Sequence, residues 1–240
     1  MKNKVAICIA GEMRYWEITK DIFNSLDADI FISTWDTNDR QDNYPYRFHG
    51  NKNVNGKIVD GLDNLIEAEF LPKEVENKFT FNIPKYWYLI HRCNLLKTKQ
   101  EVKENFKYDL VLITRPDVLY DENLLDSLSH KLDELSVYSS GINYREEFYG
   151  FGTMDAAAYG TSSTMDIFSS LYKHTFMSDD FNMIPMGHSV IPFYMKYIGL
   201  NMGESQISQN LINKIRKPEE FKCSSFTPVM LSHNLSPSSI

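Results

Sequence analysis

The fold is decided by residues 5–34, VAICIAGEMRYWEITKDIFNSLDADIFIST. Their first six residues form a continuous apolar run that ends at Gly11, which is typical of a strand covered on both faces. Residues 16–26 carry apolar side chains at helical spacing, and residues 28–34 form a second apolar run. A strand, a helix and a second strand in so short a stretch make the minimal crossover unit of a parallel sheet. The stretch therefore predicts an α/β fold.

The rest of the chain continues this pattern. Pro84 precedes a long helix over residues 85–106, which leads into a third buried strand at residues 108–114, YDLVLIT. Residues 37–55 lack periodicity and predict a long surface loop. Further helices are predicted at residues 122–132 (capped by Asp121), 162–177 and 187–198, and further strands at residues 135–139 and 156–159. No shift in composition marks a boundary, so we expect one domain over residues 1–240, with a nucleotide half at 1–120 and an acceptor half at 121–240.

Composition and charge exclude several classes of protein. The chain has 240 residues, and its 32 Asp and Glu outnumber its 25 Lys and Arg, for a net charge of −7. Such a protein repels phosphate backbones and anionic membranes, so we expect no nucleic-acid partner. No apolar run approaches the roughly 18 residues of a membrane span, and the run after Lys4 is too short for a signal peptide. Three dispersed cysteines, Cys8, Cys93 and Cys223, indicate neither disulfides nor a zinc site and favour a cytoplasmic location.

The candidate site lies where the buried strands end, because ligands of open α/β sheets bind outside the carboxyl ends of the strands. The endings offer carboxylates for a cation, guanidinium groups for phosphates and an indole for a ring, which suits a nucleoside diphosphate. Neither GxGxxG nor GxxxxGK[ST] follows any strand, so a classical dinucleotide or triphosphate site is not indicated. We expect the donor-binding residues to be Ala10, Gly11, Arg14, Trp35, Asp36 and Arg115.

The sharpest of these endings is Arg115-Pro116-Asp117. Pro116 removes a backbone donor and disfavours a helical conformation at Arg115, so the strand should stop there with Asp117 beyond its end. A carboxylate in that place can anchor Mn²⁺ or Mg²⁺ together with substrate phosphates. The alternative is that Asp117 is a turn or capping residue, although Asp121 already fills the capping role before the next helix.

Three blocks in this order resemble the GT-A type nucleotide-sugar glycosyltransferases of bacterial polysaccharide clusters, phages and large viruses. They are VAICIAGEMR (5–14), DIFISTWD (29–36) and KYDLVLITRPDVLY (107–120), and the resemblance extends from residue 5 to about residue 216. It implies a Rossmann-like GT-A fold with a mostly parallel central sheet flanked by helices. It also implies a DxD-like metal site, with Asp117 as the metal-binding Asp and Arg115 in place of the first acid. A lone carboxylate holds a divalent ion less firmly than a pair.

The same resemblance suggests residues for the chemistry. Asp155, before the small residues AAAYG, matches the family's acidic segment at the floor of the sugar site. His188 stands where similar proteins have an acid facing the acceptor, and a His can act as a general base near neutral pH. Asp179 and Asp180 are a nearby alternative. His233 is a candidate third metal ligand, as C-terminal histidines are in some transferases of this fold. The structural alternatives are that Asp155 begins a strand, that His188 caps a helix and that His233 lies in a frayed terminus.

The sequence thus predicts a glycosyltransferase, similar to hexosyltransferases, that moves a sugar from a nucleoside diphosphate sugar to a glycan or glycoconjugate acceptor with the help of a metal. The resemblance places it in polysaccharide biosynthesis, in the cytoplasm of a bacterium or of a virus-infected cell. One alternative is a noncatalytic transferase-like module that binds carbohydrate or protein. A metal-dependent nucleotidyltransferase is a further alternative, disfavoured because the first loop lacks a Gly-rich phosphate-binding sequence.

Overall fold

The computed structural model describes residues 3–37, 56–79, 82–120, 124–128, 131–139, 142–143, 152–153, 157–173, 195, 197–203 and 213–214. Their elements, in chain order, are β1 (Val5–Ala10), α1 (Trp16–Ser25), β2 (Asp29–Trp35), a 3-10 turn (Gly56–Val59), β3 (Leu65–Leu71), α2 (Lys73–Glu76), α3 (Asn82–Glu104), β4 (Leu110–Thr114), β5 (Val118–Leu119), α4 (Leu124–Ser127), β6 (Ser136–Ser139), β7 (Ile142–Asn143), β8 (Gly152–Thr153), β9 (Ala157–Gly160), α5 (Ser162–Ser169), β10 (Asn201–Gly203) and β11 (Asn213–Lys214). None of these helices is long and apolar enough to cross a bilayer.

The centre of the fold is a seven-stranded sheet in the order β10-β6-β9-β4-β1-β2-β3. Its neighbouring strands are parallel except at β9, which is antiparallel to both β4 and β6. The pairs β5-β11 and β7-β8 form two small antiparallel ribbons. The prediction of an α/β fold with a mostly parallel central sheet is confirmed. Both predicted halves of the chain contribute strands to this one sheet, while their assignment to donor and acceptor remains a prediction.

Strand β1 shows why its apolar run is continuous. Ala6, Cys8 and Ala10 face the core that α3 covers, and Ile7 and Ile9 face the opposite core, to which α1 contributes. All five are fully buried. A strand with helices on both faces has no polar side, so its sequence cannot alternate. The prediction of helices flanking the sheet is therefore confirmed as well.

The structure differs from the predicted elements in several places. Strands β3, β5, β7, β8, β10 and β11 were not predicted, α3 begins at Asn82 with Pro84 in its first turn and ends at Glu104, and α5 ends at Ser169. The helix predicted at residues 122–132 is helical only at Leu124–Ser127 among the residues described. Pro84 is tolerated within α3 because it lies in the first turn. The backbone N–H that proline lacks would have no carbonyl partner within the helix at that position. Most of the predicted helix at residues 187–198 and of the loop at residues 37–55 lies outside the described residues.

A buried polar network joins α3 to α5. Lys97 is fully buried and its ammonium donates to Ser162 Oγ (2.6 Å), Asp166 Oδ1 (2.7 Å) and Glu101 Oε2 (3.1 Å). Lys107 closes the network by donating to Glu101 (2.9 Å) and Asp166 (3.2 Å). Each carboxylate thus has several charge-assisted partners, the condition under which buried charges are tolerated. The network fixes the position of α5 over the sheet.

Acid is expected to weaken this network. Burial alone would raise the pKa of Glu101 and of Asp166, but their hydrogen bonds outweigh it, and both pKa values lie below the ordinary values of 4.5 and 3.8. A lowered carboxyl pKa stabilises the folded state above the ordinary pKa, and this stability is lost as the pH falls through the lower, folded-state pKa. We therefore expect the free energy of unfolding, measured in urea, to fall with acidification below about pH 4.5, and to fall less steeply in Glu101→Gln. An equally steep fall in that variant would contradict this role.

Candidate functional site

The candidate site lies at the point where the strand order reverses. From β1 the chain builds β2 and β3 on one side of β1 and then crosses to place β4 on the other side. The carboxyl ends of β1 and β4 therefore adjoin at the switch point, where open α/β sheets bind their ligands. Gly11 follows β1 and Arg115 follows β4, as the sequence predicted.

The loops after β1 and β4 touch through Gly11 and Pro116. Gly11 has φ +136°, a conformation that side-chain-bearing residues rarely adopt, and a Cβ atom there would lie 3.2 Å from Pro116 Cδ. The Thr19 hydroxyl, on α1, donates to the Pro116 carbonyl (2.7 Å). These contacts fix the start of the Arg115-Pro116-Asp117 segment against β1. The space that a side chain at Gly11 would fill is therefore taken by the Pro116 ring.

Arg115 and Asp117 form a bidentate ion pair. Arg115 Nε donates to Asp117 Oδ1 (2.8 Å) and Arg115 Nη2 donates to Asp117 Oδ2 (2.7 Å). The side chains are only 9% and 4% exposed. The Arg115 guanidinium also lies 6.0 Å from the centre of the Tyr86 ring, at the start of α3. Such two-bond geometry is the strongest form of an arginine–carboxylate contact.

Arg14 approaches the same carboxylate more loosely. Its Nη1 lies 3.8 Å from Asp117 Oδ2 and its Nε lies 3.5 Å from Glu12 Oε2. The buried Nε of Arg14 donates no hydrogen bond to any of the residues described. The Arg14 amide donates to the Glu12 carbonyl (2.7 Å), a tight turn that holds the two side chains together. Two guanidinium groups and two carboxylates thus meet at the switch point.

The other predicted donor-binding residues occupy different surroundings. Ala10 is fully buried in the core. Trp35 is 2% exposed, and its indole is stacked on Tyr88 with ring centres 6.2 Å apart, so its ring face is used in packing. The Asp36 amide donates to the Leu71 carbonyl (2.8 Å), and its buried Oδ1 accepts no hydrogen bond from the residues described. The structure therefore brings together Gly11, Arg14 and Arg115 with Asp117, and it gives Trp35 a packing role.

Three predicted residues, Asp155, His188 and His233, lie outside the described residues, as do Asp179 and Asp180. In the other direction, the structure adds Glu12 and Tyr86, which the sequence did not single out as site residues. The signal for Glu12 was its spacing, because a residue two positions before Arg14 in a strand-ending turn can reach its guanidinium. No sequence signal pointed to Tyr86.

The predicted metal site depends on the donor set around Asp117. Both Asp117 oxygens accept from Arg115, and a second guanidinium stands 3.8 Å away. A divalent cation bound to Asp117 would have to share these oxygens with the fork and lie beside two positive charges. Among the residues described, no three His, Cys, Asp or Glu side chains are placed to hold a metal ion. The residues described here do not fit a metal at Asp117.

Sequence comparison does not assign the chain. No family model matches it, and no curated protein is similar to it. Structure comparison finds solved glycosyltransferases of remote likeness. Apo GlyE of Streptococcus pneumoniae TIGR4 is 9% identical over 85% of this chain and 46% of its own, with a TM-score of 0.44.

The galactosyltransferase LgtC, in complex with donor and acceptor sugar analogues, is 14% identical over 83% of this chain and 73% of its own, with a TM-score of 0.43. An active-site mutant of LgtC is 10% identical, with a TM-score of 0.47. The chain spans less than half the length of GlyE and about three quarters of LgtC. Because these similarities are remote, the function has to be inferred from the chain's own side chains.

Proposed function

We propose that the chain is a glycosyltransferase that moves a sugar from a nucleoside diphosphate sugar to a glycan or related acceptor. The observation that carries the proposal is the convergence of Arg14 and Arg115 on Asp117 at the switch point of the sheet. Guanidinium groups recognise phosphate oxygens through paired hydrogen bonds. A pair of them at the carboxyl ends of β1 and β4 suits a ligand with two linked phosphates.

The same groups have a task in the reaction. When the bond between the sugar and the diphosphate breaks, negative charge develops on the departing diphosphate oxygen. Positive groups already fixed at that place stabilise the transition state without having to reorganise. Arg115 is fixed by its fork to Asp117 and by burial. Arg14, more loosely held, completes the contact when the donor arrives.

The remaining steps rest on the sequence alone. We keep Asp155 as the proposed contact to the transferred sugar and His188 as the proposed base that takes the proton from the acceptor hydroxyl. No metal on Asp117 and His233 is proposed, because a cation at Asp117 would lie beside the guanidinium groups of Arg115 and Arg14. The proposal thus assigns phosphate binding to the two arginines, the sugar contact to Asp155 and proton transfer to His188.

The proposal is tested with a panel of UDP-, GDP-, CDP- and dTDP-sugars in two assays, thermal unfolding and release of the free nucleotide. We expect one donor class to raise the unfolding temperature, because a ligand that binds only the folded state stabilises it by mass action. The same class should be hydrolysed slowly even without an acceptor. If no nucleotide sugar stabilises the chain, with or without Mn²⁺, the noncatalytic binding module becomes the better description.

A further inference from the structure

We infer that the site binds the donor diphosphate through guanidinium groups without a divalent cation, and that the Glu12 carboxylate occupies Arg14 until the diphosphate displaces it. This inference rests on the proposed function and deepens it. It concerns the two carboxylates of the cluster, which have different roles. Asp117 positions Arg115 permanently, whereas Glu12 exchanges with the ligand.

The two ion pairs differ in tightness. Arg115 and Asp117 are joined by two bonds of 2.7–2.8 Å between side chains that are 9% and 4% exposed. Arg14 and Glu12 are 3.5 Å apart at the nearest polar atoms, with side chains 19% and 17% exposed. Charge-assisted hydrogen bonds are normally about 2.7–2.9 Å long. The Arg115 pair is therefore a fixed part of the fold, and the Arg14 pair is a loose contact.

One N–H donor of Arg14 is unused among the residues described. A guanidinium carries five N–H donors, and the buried Nε of Arg14 donates to none of the residues described. Buried polar atoms in native proteins almost always have a partner, and this Nε only faces Glu12 Oε2 at 3.5 Å. Arg14 Nη1 lies 3.8 Å from Asp117 Oδ2, at the switch point. An acceptor bound where β1 and β4 end would satisfy the Nε of Arg14.

Two arginines supply the positive charge that a metal would otherwise bring. A divalent ion in such a site neutralises the phosphates, and Arg14 and Arg115 carry two positive charges. Among the residues described, they face Glu12 and Asp117, so these four side chains together carry no net charge. Release of Glu12 from Arg14 leaves one net positive charge for the diphosphate. Because Glu12 is partly exposed, its carboxylate regains water on release, which lowers the cost of the exchange.

The test measures the binding of UDP, GDP and inorganic pyrophosphate by titration calorimetry. The unsubstituted chain is titrated in EDTA and again with Mn²⁺. We expect at least one of the three probes to bind in EDTA. Its affinity should lie within about twofold of the affinity in Mn²⁺, because the contacts are charge-assisted hydrogen bonds to arginine. Binding that appears only with Mn²⁺ overturns the inference and leaves the proposed function standing. If no probe binds under either condition, the proposed function fails together with the inference.

Variants then test the exchange. Glu12→Gln removes the competing carboxylate and should tighten binding roughly threefold to tenfold, and Arg14→Gln should weaken it by at least about tenfold. Glu69→Gln is the matched control, because Glu69 is also ion-paired to an arginine, Arg92, and is also 17% exposed, but on β3. It changes the net charge equally and should leave the affinity unchanged. Unchanged or weaker binding by Glu12→Gln, or equal tightening by Glu69→Gln, overturns the exchange. The EDTA comparison needs no variant and remains decisive if one misfolds.

Discussion

Lys97→Met is expected to lower the free energy of unfolding by about 3–5 kcal/mol, the usual cost of removing one partner from a buried ion pair. Lys97 is fully buried and donates to Glu101, Ser162 and Asp166. Methionine fills a similar volume but removes the buried positive charge between Glu101 and Asp166. Among the described residues, these carboxylates then keep only the exposed Lys107 as a cationic partner. Urea unfolding followed by circular dichroism measures the loss.

Lys99→Met is the control for this prediction. Lys99 lies on the same helix and also pairs with a glutamate, Glu67, but the two side chains are 67% and 35% exposed. Exposed pairs contribute about 0–1 kcal/mol, so this variant should unfold almost as the parent does. Equal losses in the two variants would mean that helix propensity or net charge, and not the buried network, accounts for the effect.

Arg115→Lys is expected to slow sugar transfer by about 100-fold or more, the range found when one preorganised charge-stabilising donor is removed from an active site. Lysine keeps the positive charge but cannot form the two-bond fork with Asp117, so the cation loses its fixed direction. The measurement is the rate of nucleotide release from the donor identified in the panel. Circular dichroism and thermal unfolding establish that the variant is folded.

Arg92→Lys is the control for losing an arginine–carboxylate contact elsewhere in the fold. Arg92 makes several hydrogen bonds to Glu69, away from the switch point, and its replacement should leave the transfer rate nearly unchanged. A rate loss in Arg92→Lys as large as that in Arg115→Lys would assign the effect to general loosening of the fold. A full rate in Arg115→Lys would show that Arg115 does not stabilise the departing diphosphate.

The central strands could be predicted because helices cover them on both faces. β1, β2 and β4 are nearly continuous apolar runs, and such runs have few other interpretations. β3 could not be recognised in the same way, since it is the edge strand and carries Glu67 and Glu69. These acids contact Lys99 and Arg92 of α3, so their cost in the strand is offset by partners that only the folded chain supplies.

The location of the candidate site could be predicted from the sequence, but the role of each of its residues could not. Strand endings of a parallel sheet converge, so the order of Arg14 and Arg115 predicted that they lie at one edge, where the structure also has them. Their role in donor binding remains a prediction. Whether Asp117 turns its carboxylate to a ligand or to Arg115 depends on side-chain rotamers, which a sequence pattern does not contain. The stacking of Trp35 on Tyr88 joins residues from two separate elements, and it also depends on rotamers that the sequence does not predict.

The place of β1 in the sheet also bears on how the chain emerges from the ribosome. Ala6 pairs with Asp29 on one side and with Val111 on the other, so one edge of β1 gains its neighbour early and the other only when β4 has been made. At roughly 5–20 residues per second, that second edge stays open for several seconds. α3 is synthesised before β4 and covers one face of β1, but it cannot satisfy the open edge. A nascent chain halted before residue 110 therefore presents a wholly apolar strand with one unpaired edge, the kind of edge that recruits another chain.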